Sequence, residues 1–268
     1  MRSPSRPVRL VGSLLLAMLV APWLAPHAPE AQLDLVALRG LPPSWAHWLG
    51  TDLYARDVLS RVLVGTRISL AVALGSVVLS MGVATLVGTA ITMAPRPVST
   101  LLAGLVEALL PVPRLLLLLA CSAAWAPLSV AGLTALIGLT GWVGAARLVA
   151  DETRRIDRSD FVLAARASGL SEWRIARRHL WPHLRPVLAA HATLAVAAAI
   201  GAEAGLGFLG LGIAPPAPSW GNIMRDGAGV VTTHWWLTVW PATAATLAMV
   251  GCHRVGEALE DPAPPASR

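Results

Sequence analysis

Residues that could do chemistry in this chain are few, and their types exclude more than they permit. All 21 basic residues are arginine. A phosphate-binding loop of the form GxxxxGK[ST] needs a lysine to reach the nucleotide phosphates, so this chain cannot hydrolyse ATP by that route. No Ser/His/Asp, Cys/His or HExxH arrangement is present, and no catalytic residue is assigned. His47, His179, His183, His191, His234 and His253 are scattered. Only His179 and His183 have ligand spacing, and Pro182 interrupts them, so no metal site is expected. Cys121 and Cys252 lie in or beside apolar runs, far apart, and imply no disulfide framework.

Three charged residues sit inside apolar sequence. Each costs a few kcal/mol in hydrocarbon, so each needs a partner or an aqueous lining. Arg114 follows Pro111 and Pro113, where a helix should break and leave the guanidinium on a cavity. Glu107 could pair with it only across an undistorted helix. Glu203 could line a path, pair with another subunit or cap a helix, and a structural pairing is preferred over solute contact.

The elements that carry these residues follow from composition. Hydrophobic residues make up 55% of the chain and charged residues 13%, with a mean hydropathy of +0.63. Average charged usage is about 25%, so the bilayer is the expected solvent. Apolar runs long enough to span occur near 9–25, 68–92, 99–122, 127–148, 187–207 and 235–254, and they predict an all-α integral membrane fold of six spans. Arg2, Arg6 and Arg9 precede a first span read as retained rather than cleaved, because Pro22, Pro26 and Pro29 crowd any cleavage site. Most arginines then fall on one side, at Arg147–Arg185 above all, against Arg39, Arg56, Arg61, Arg67 and Arg225 opposite. The positive-inside rule places both termini in the cytoplasm. The chain divides into 1–66, a span plus an external amphipathic segment; 67–262, five spans with a cytosolic insert at 149–185; and a tail at 263–268.

Within the spans, small residues suggest packing stripes: Gly75, Gly82 and Thr89 every seventh position, Gly138, Gly141 and Gly144, and the pair Gly201 and Gly205. In the external segment Val58, Leu59, Val62 and Leu63 recur at helical spacing opposite Arg56, Asp57 and Arg61. That pattern predicts an amphipathic helix on the membrane surface, leading through Gly65–Arg67 into the second span.

The cytosolic insert reads as two short helices. Gly169 can end the first in a left-handed conformation. Ser171 can cap the second, with Glu172 complementing its dipole. Trp173, Ala176, Leu180 and Leu184 form an apolar stripe, and Pro182 marks a break before the next span. A helix–Gly–helix rich in arginine could contact DNA. The insert is too short to hold a core of its own, so no nucleic-acid partner is expected.

This insert resembles the "EAA" loop of bacterial ABC-importer permeases, with Ala164, Ala165, Gly169 and Pro182 at matching positions and Leu163 where that family has glutamate. Leu49–Asp52, Arg56–Arg61, Gly65 and Arg67–Leu70 resemble the "LGTDxxGRDVLSRxxxGxRISL" block of the dipeptide/oligopeptide/nickel branch, with Ala55 replacing a glycine. Phe208–Gly212 and Pro218-Ser219-Trp220-Gly221 match a later block.

The resemblance implies a bacterial plasma-membrane permease of the type I importer fold. It would pair with a second homologous permease, two ABC ATPase subunits carrying ATP and Mg, an extracytoplasmic solute-binding protein and membrane lipid. Ala164, Ala165, Gly169, Leu170, Ser171, Trp173 and Pro182 would then form the ATPase-coupling elbow. Asp52, Arg56, Asp57, Arg61 and Pro218–Gly221 would shape the binding-protein side. The solute would be a peptide, with a nickel chelate or glutathione as alternatives. From a different class, an ATP-independent secondary transporter or channel would require paired half-repeats, whereas the basic insert is unpaired.

Overall fold

The computed structural model describes residues 12, 13, 16, 20–32, 34–125 and 127–260. Most of the first expected span therefore lies outside the described residues. Among the described residues a short 3₁₀ turn, Ala21–Leu24, precedes nine helices: α1 Val58–Met93, α2 Arg96–Leu109, α3 Arg114–Trp125, α4 Val130–Asp157, α5 Asp160–Ala167, α6 Glu172–Ile175, α7 Trp181–Phe208, α8 Trp220–Ala228 and α9 Trp236–Glu260. Among the described residues the only β pairings are two isolated bridges.

Local chemistry sets the boundaries. Asp57 caps α1 by accepting from the Ser60 amide at 2.8 Å, and Ser129 caps α4 through the Gly132 amide at 3.0 Å. Pro95 pushes Ala94 into extended backbone and ends α1. Pro111 and Pro113 occupy the break between α2 and α3, which are bent by 88°. The third expected span is thus two helices.

The surface helix predicted before the second span is absent. Residues 58–93 form one helix of 36 residues, about 54 Å long. Helices α1, α4 and Glu172–Phe208 are long and apolar enough to cross a membrane, and the bent α2–α3 pair makes a fourth when taken as one span. Helix α9 stands where the last span was expected but does not reach that apolarity.

α1 packs chiefly on α4, α9 on α7, and α8 sits between α7 and α9. The α1–α4 seam runs every fourth residue rather than every seventh. Ser76, Ser80, Ala84 and Gly88 are buried in sequence along it. The Ser76 hydroxyl donates to the Thr134 carbonyl at 3.0 Å, and Thr92 donates to that of Ala150 at 3.3 Å. A ridge of i±4 positions lets small residues bring two backbones together. Gly82, Gly144 and Gly205 face open space instead.

A Cβ at Gly88 would lie 2.5 Å from the Ala146 carbonyl oxygen. Gly88→Val is accordingly expected to lower stability by about 1–3 kcal/mol, read as an earlier thermal transition of the detergent-solubilised chain. Gly82→Val should leave that transition unmoved.

Candidate functional site

Two polar constructions occupy opposite ends of α1. At its C-terminal end lies the elbow. Val149, Ile156, Val162, Ile175, Ala176, Leu180 and Leu184 form a small core against which Met93, Ala165 and Leu170 pack. The insert thus does have a core, built jointly with the ends of its neighbouring helices.

Helix α5 stops at Gly169, whose φ is +80°. The Gly169 amide donates to the Arg166 carbonyl at 3.0 Å and the Leu170 amide to that of Ala165 at 3.2 Å. This is a Schellman stop, and Ala165 and Leu170 supply its usual apolar contact. Arg166 locks the turn: its guanidinium donates to both oxygens of Glu172 at 2.8 and 3.0 Å and to Asp157 at 2.8 Å. Those bonds, Glu172 first, push the Arg166 pKa above its ordinary value. One side chain thereby ties α5, α6 and the end of α4.

The second half of the elbow differs from the expectation. Ser171 holds the N-cap position without a side-chain hydrogen bond. No break occurs at Pro182: a π-turn over Ala176–Leu180 joins α6 to α7, and the Trp181 amide reaches back to the Ala176 carbonyl. The wider turn accommodates Pro182, whose ring clashes with an ordinary preceding turn. It also shifts the register, so Ile175 joins Ala176, Leu180 and Leu184 inside. Trp173 is left 62% exposed with its ring edge-on to Trp181, and Phe161, Leu163, Ala164 and Gly169 are exposed as well. His183 donates through Nδ1 to the His179 carbonyl at 2.6 Å, and its ring stacks on Phe161 at 5.2 Å, centroid to centroid.

At the N-terminal end of α1 the block Leu49–Arg61 is a folded plug rather than an amphipathic surface. Gly50 has φ +81°, and a Cβ there would meet the Trp236 indole at 2.8 Å. Thr51 accepts from that indole through its carbonyl at 3.1 Å. Asp52, fully buried, accepts from Arg56 at 2.7 Å and from Arg61 at 2.6 Å. Both arginines also reach Asp226, at 3.0 and 2.8 Å. Arg61 lies inside the protein, not on the polar face that its spacing suggested. Asp226 escaped the sequence reading, because 165 residues separate it from Arg61 and no local pattern marks it. Ala55 takes the left-handed conformation, φ +57°, which costs a non-glycine residue roughly 1–2 kcal/mol.

Pro218, Ser219, Trp220 and Gly221, expected to shape an outer surface, are all buried. Ser219 and Asn222 form a capping box for α8, and a Cβ on Gly221 would lie 2.7 Å from the Ala204 carbonyl oxygen. Asp52, Asp57 and Arg61 are likewise interior. These motif residues hold the scaffold, and of the set only Arg56 is part-exposed.

Of the charges expected within spans, Glu203 is fully buried beside the Ser69 and Ser219 hydroxyls. Those oxygens accept from the Trp220 and Asn222 amides, leaving their own protons free to turn toward the carboxylate. Arg114 donates to the Ile137 carbonyl at 2.9 Å and lines a cavity of about 430 Å³ with Thr140, Trp142 and His191. Glu107 makes no pair with it; beyond the 88° bend it borders a cleft with Arg147, Asp151 and Arg154.

The sequence matches the family described as "binding-protein-dependent transport system inner membrane component" over residues 76–259. It is 32% identical over 256 residues to the dipeptide transport system permease protein DppC of Bacillus subtilis, covering 95% of this chain and 79% of that one. It is 34% identical over 248 residues to the "probable D,D-dipeptide transport system permease protein DdpC" of Escherichia coli, covering 92% and 82%. The fold is similar to an inward-facing structure of the MetNI methionine ABC transporter, with a TM-score of 0.54, 19% identity and 74% of this chain covered.

Proposed function

The chain belongs to the family of binding-protein-dependent transport system inner membrane components, and from that premise we propose how its parts work. It is a permease subunit of an ABC importer, and it forms half of a pore with a second homologous permease. ATP and Mg are held by two partner ATPase subunits. The arginine-rich elbow faces the cytoplasm, as do both termini, and the plug at the other end of α1 faces a solute-binding protein. The solute is a short peptide or a similar small molecule. Alternating access is then a two-state rearrangement that ATP biases from one side and the loaded binding protein from the other.

The observation that carries this reading is the exposed apolar knuckle of the elbow. Phe161, Leu163 and Trp173 stand out on a turn that Arg166 and Gly169 hold rigid. Such a projection suits a groove in another protein and is costly in water. Trp173→Ala should reduce capture of the partner ATPase by at least about tenfold, as loss of a tryptophan hot spot does, while the loss of its edge-on contact with Trp181 costs the permease only about 0.5–1.5 kcal/mol and leaves it folded in the membrane. Unchanged capture together with unchanged uptake would refute the assignment.

A further inference from the structure

Asp57 lies in the plug, and His27 and His47 come from two segments that precede it. One nitrogen of each ring and one carboxylate oxygen lie within 4.8 Å of one another. His47 Nδ1 is 3.0 Å from Asp57 Oδ1, and the two imidazoles are 5.6 Å apart, centroid to centroid. The set is held in place from behind. The Asp57 Oδ2 atom accepts from both the amide and the hydroxyl of Ser60, at 2.8 and 2.7 Å. The His27 amide in turn donates to Ser60 Oγ at 3.1 Å. Asp57 and His47 are buried, and His27 Nδ1 is a buried atom without a hydrogen-bond partner.

We infer that His27, His47 and Asp57 bind a first-row divalent cation of the Zn²⁺ type, stapling the segment around His27 onto the first turn of α1. Two imidazoles and one carboxylate are a donor set that Zn²⁺ accepts, with ligand bonds of about 2.0–2.2 Å and a fourth position open to water. The nitrogen and oxygen of the His47–Asp57 pair already stand close to the spacing of adjacent ligands in such a site. His27 needs only a side-chain adjustment to complete it. Ligation through Nδ1 would give that orphaned ring atom a partner and remove the cost of burying it unsatisfied. The Ser60 bonds to Asp57 are the outer hydrogen bonds that orient a ligating carboxylate. Hard cations such as Mg²⁺ prefer all-oxygen shells and should be rejected.

The test uses the full-length chain, purified in detergent with a histidine-free affinity tag, and ZnCl₂ or CoCl₂ alone as the probe. Wild-type protein should take up about one equivalent of Zn²⁺ in titration calorimetry, and Co²⁺ should give the intense visible bands of a four-coordinate site. His27→Gln should weaken Zn²⁺ uptake by at least about tenfold, whereas His253→Gln should leave it alone. Zinc should raise the melting temperature of wild type and not that of His27→Gln. The apo melting temperatures of the two must agree, which separates a lost ligand from a damaged fold; should they differ, the Co²⁺ spectrum of wild type decides. Equal Zn²⁺ uptake by wild type and His27→Gln, or a Co²⁺ spectrum like that of the free aqueous ion, would overturn the site.

Discussion

Gly169→Pro is expected to abolish solute uptake while leaving the permease in the membrane. The native φ of +80° at this position is inaccessible to proline, which is fixed near −65°. The substitution also removes the amide that donates to the Arg166 carbonyl, so the Schellman stop cannot form. The cost is about 3 kcal/mol or more, concentrated in an elbow whose own core is small. α5 would then lose its fixed angle to α6, and the Phe161–Leu163–Trp173 projection its shape. Gly169→Ala grades the effect. Nothing lies within 4 Å of a Cβ at that position, so alanine suffers only left-handed strain of roughly 1–2 kcal/mol and should retain part of the activity. Uptake into proteoliposomes and ATPase co-purification are the two readouts. Normal values of both in the proline variant would show that the elbow does not couple the subunits.

How far the residues announced this architecture depends on the distance over which each signal acts. The stop at Gly169 was legible because a left-handed glycine followed by an apolar residue is a local device. The bend before Arg114 was legible because two prolines within three positions leave a helix no alternative. Pro182 misled for a related reason: the ring forbids an ordinary α-turn, and the chain answered with a π-turn instead of a break. That extra residue is what turned Ile175 inward and Trp173 outward. The small-residue seam was present as Ser76, Ser80, Ala84 and Gly88, but its period becomes apparent only when α4 is laid against it. Periodicity failed outright at Arg61. A polar residue opposite an apolar stripe reads as solvated unless its counter-ion is known, and Asp226 comes from another part of the chain. The histidine–aspartate cluster has the same character, since His27, His47 and Asp57 share no helix and no spacing rule.

Arg61→Met should be the most damaging single change at the opposite end of α1. It keeps the bulk of the side chain and removes the charge, so packing is perturbed little. Arg61 is 3% exposed and Asp52 is not exposed at all. Without Arg61, Asp52 keeps Arg56 as its one guanidinium partner, with the Tyr54 and Arg56 amides on its other oxygen, and Asp226 loses its shorter bond of 2.8 Å. Removing one partner of a buried ion pair strands the other, at about 3–5 kcal/mol, whereas replacing both with apolar groups is often neutral. Arg154→Ala, at the exposed pair with Asp151, should cost no more than about 1 kcal/mol. The informative comparison is therefore a double-mutant cycle between Arg61→Met and Asp52→Leu, read by thermal melting in detergent and by the amount of chain accumulating in membranes. If the cluster is a buried electrostatic clamp, the double variant will be more stable than the sum of the single losses predicts, because neither charge is left behind. Strict additivity would mean that Asp52 and Arg61 act independently. The clamp would then not be what fastens the start of α1 to α8.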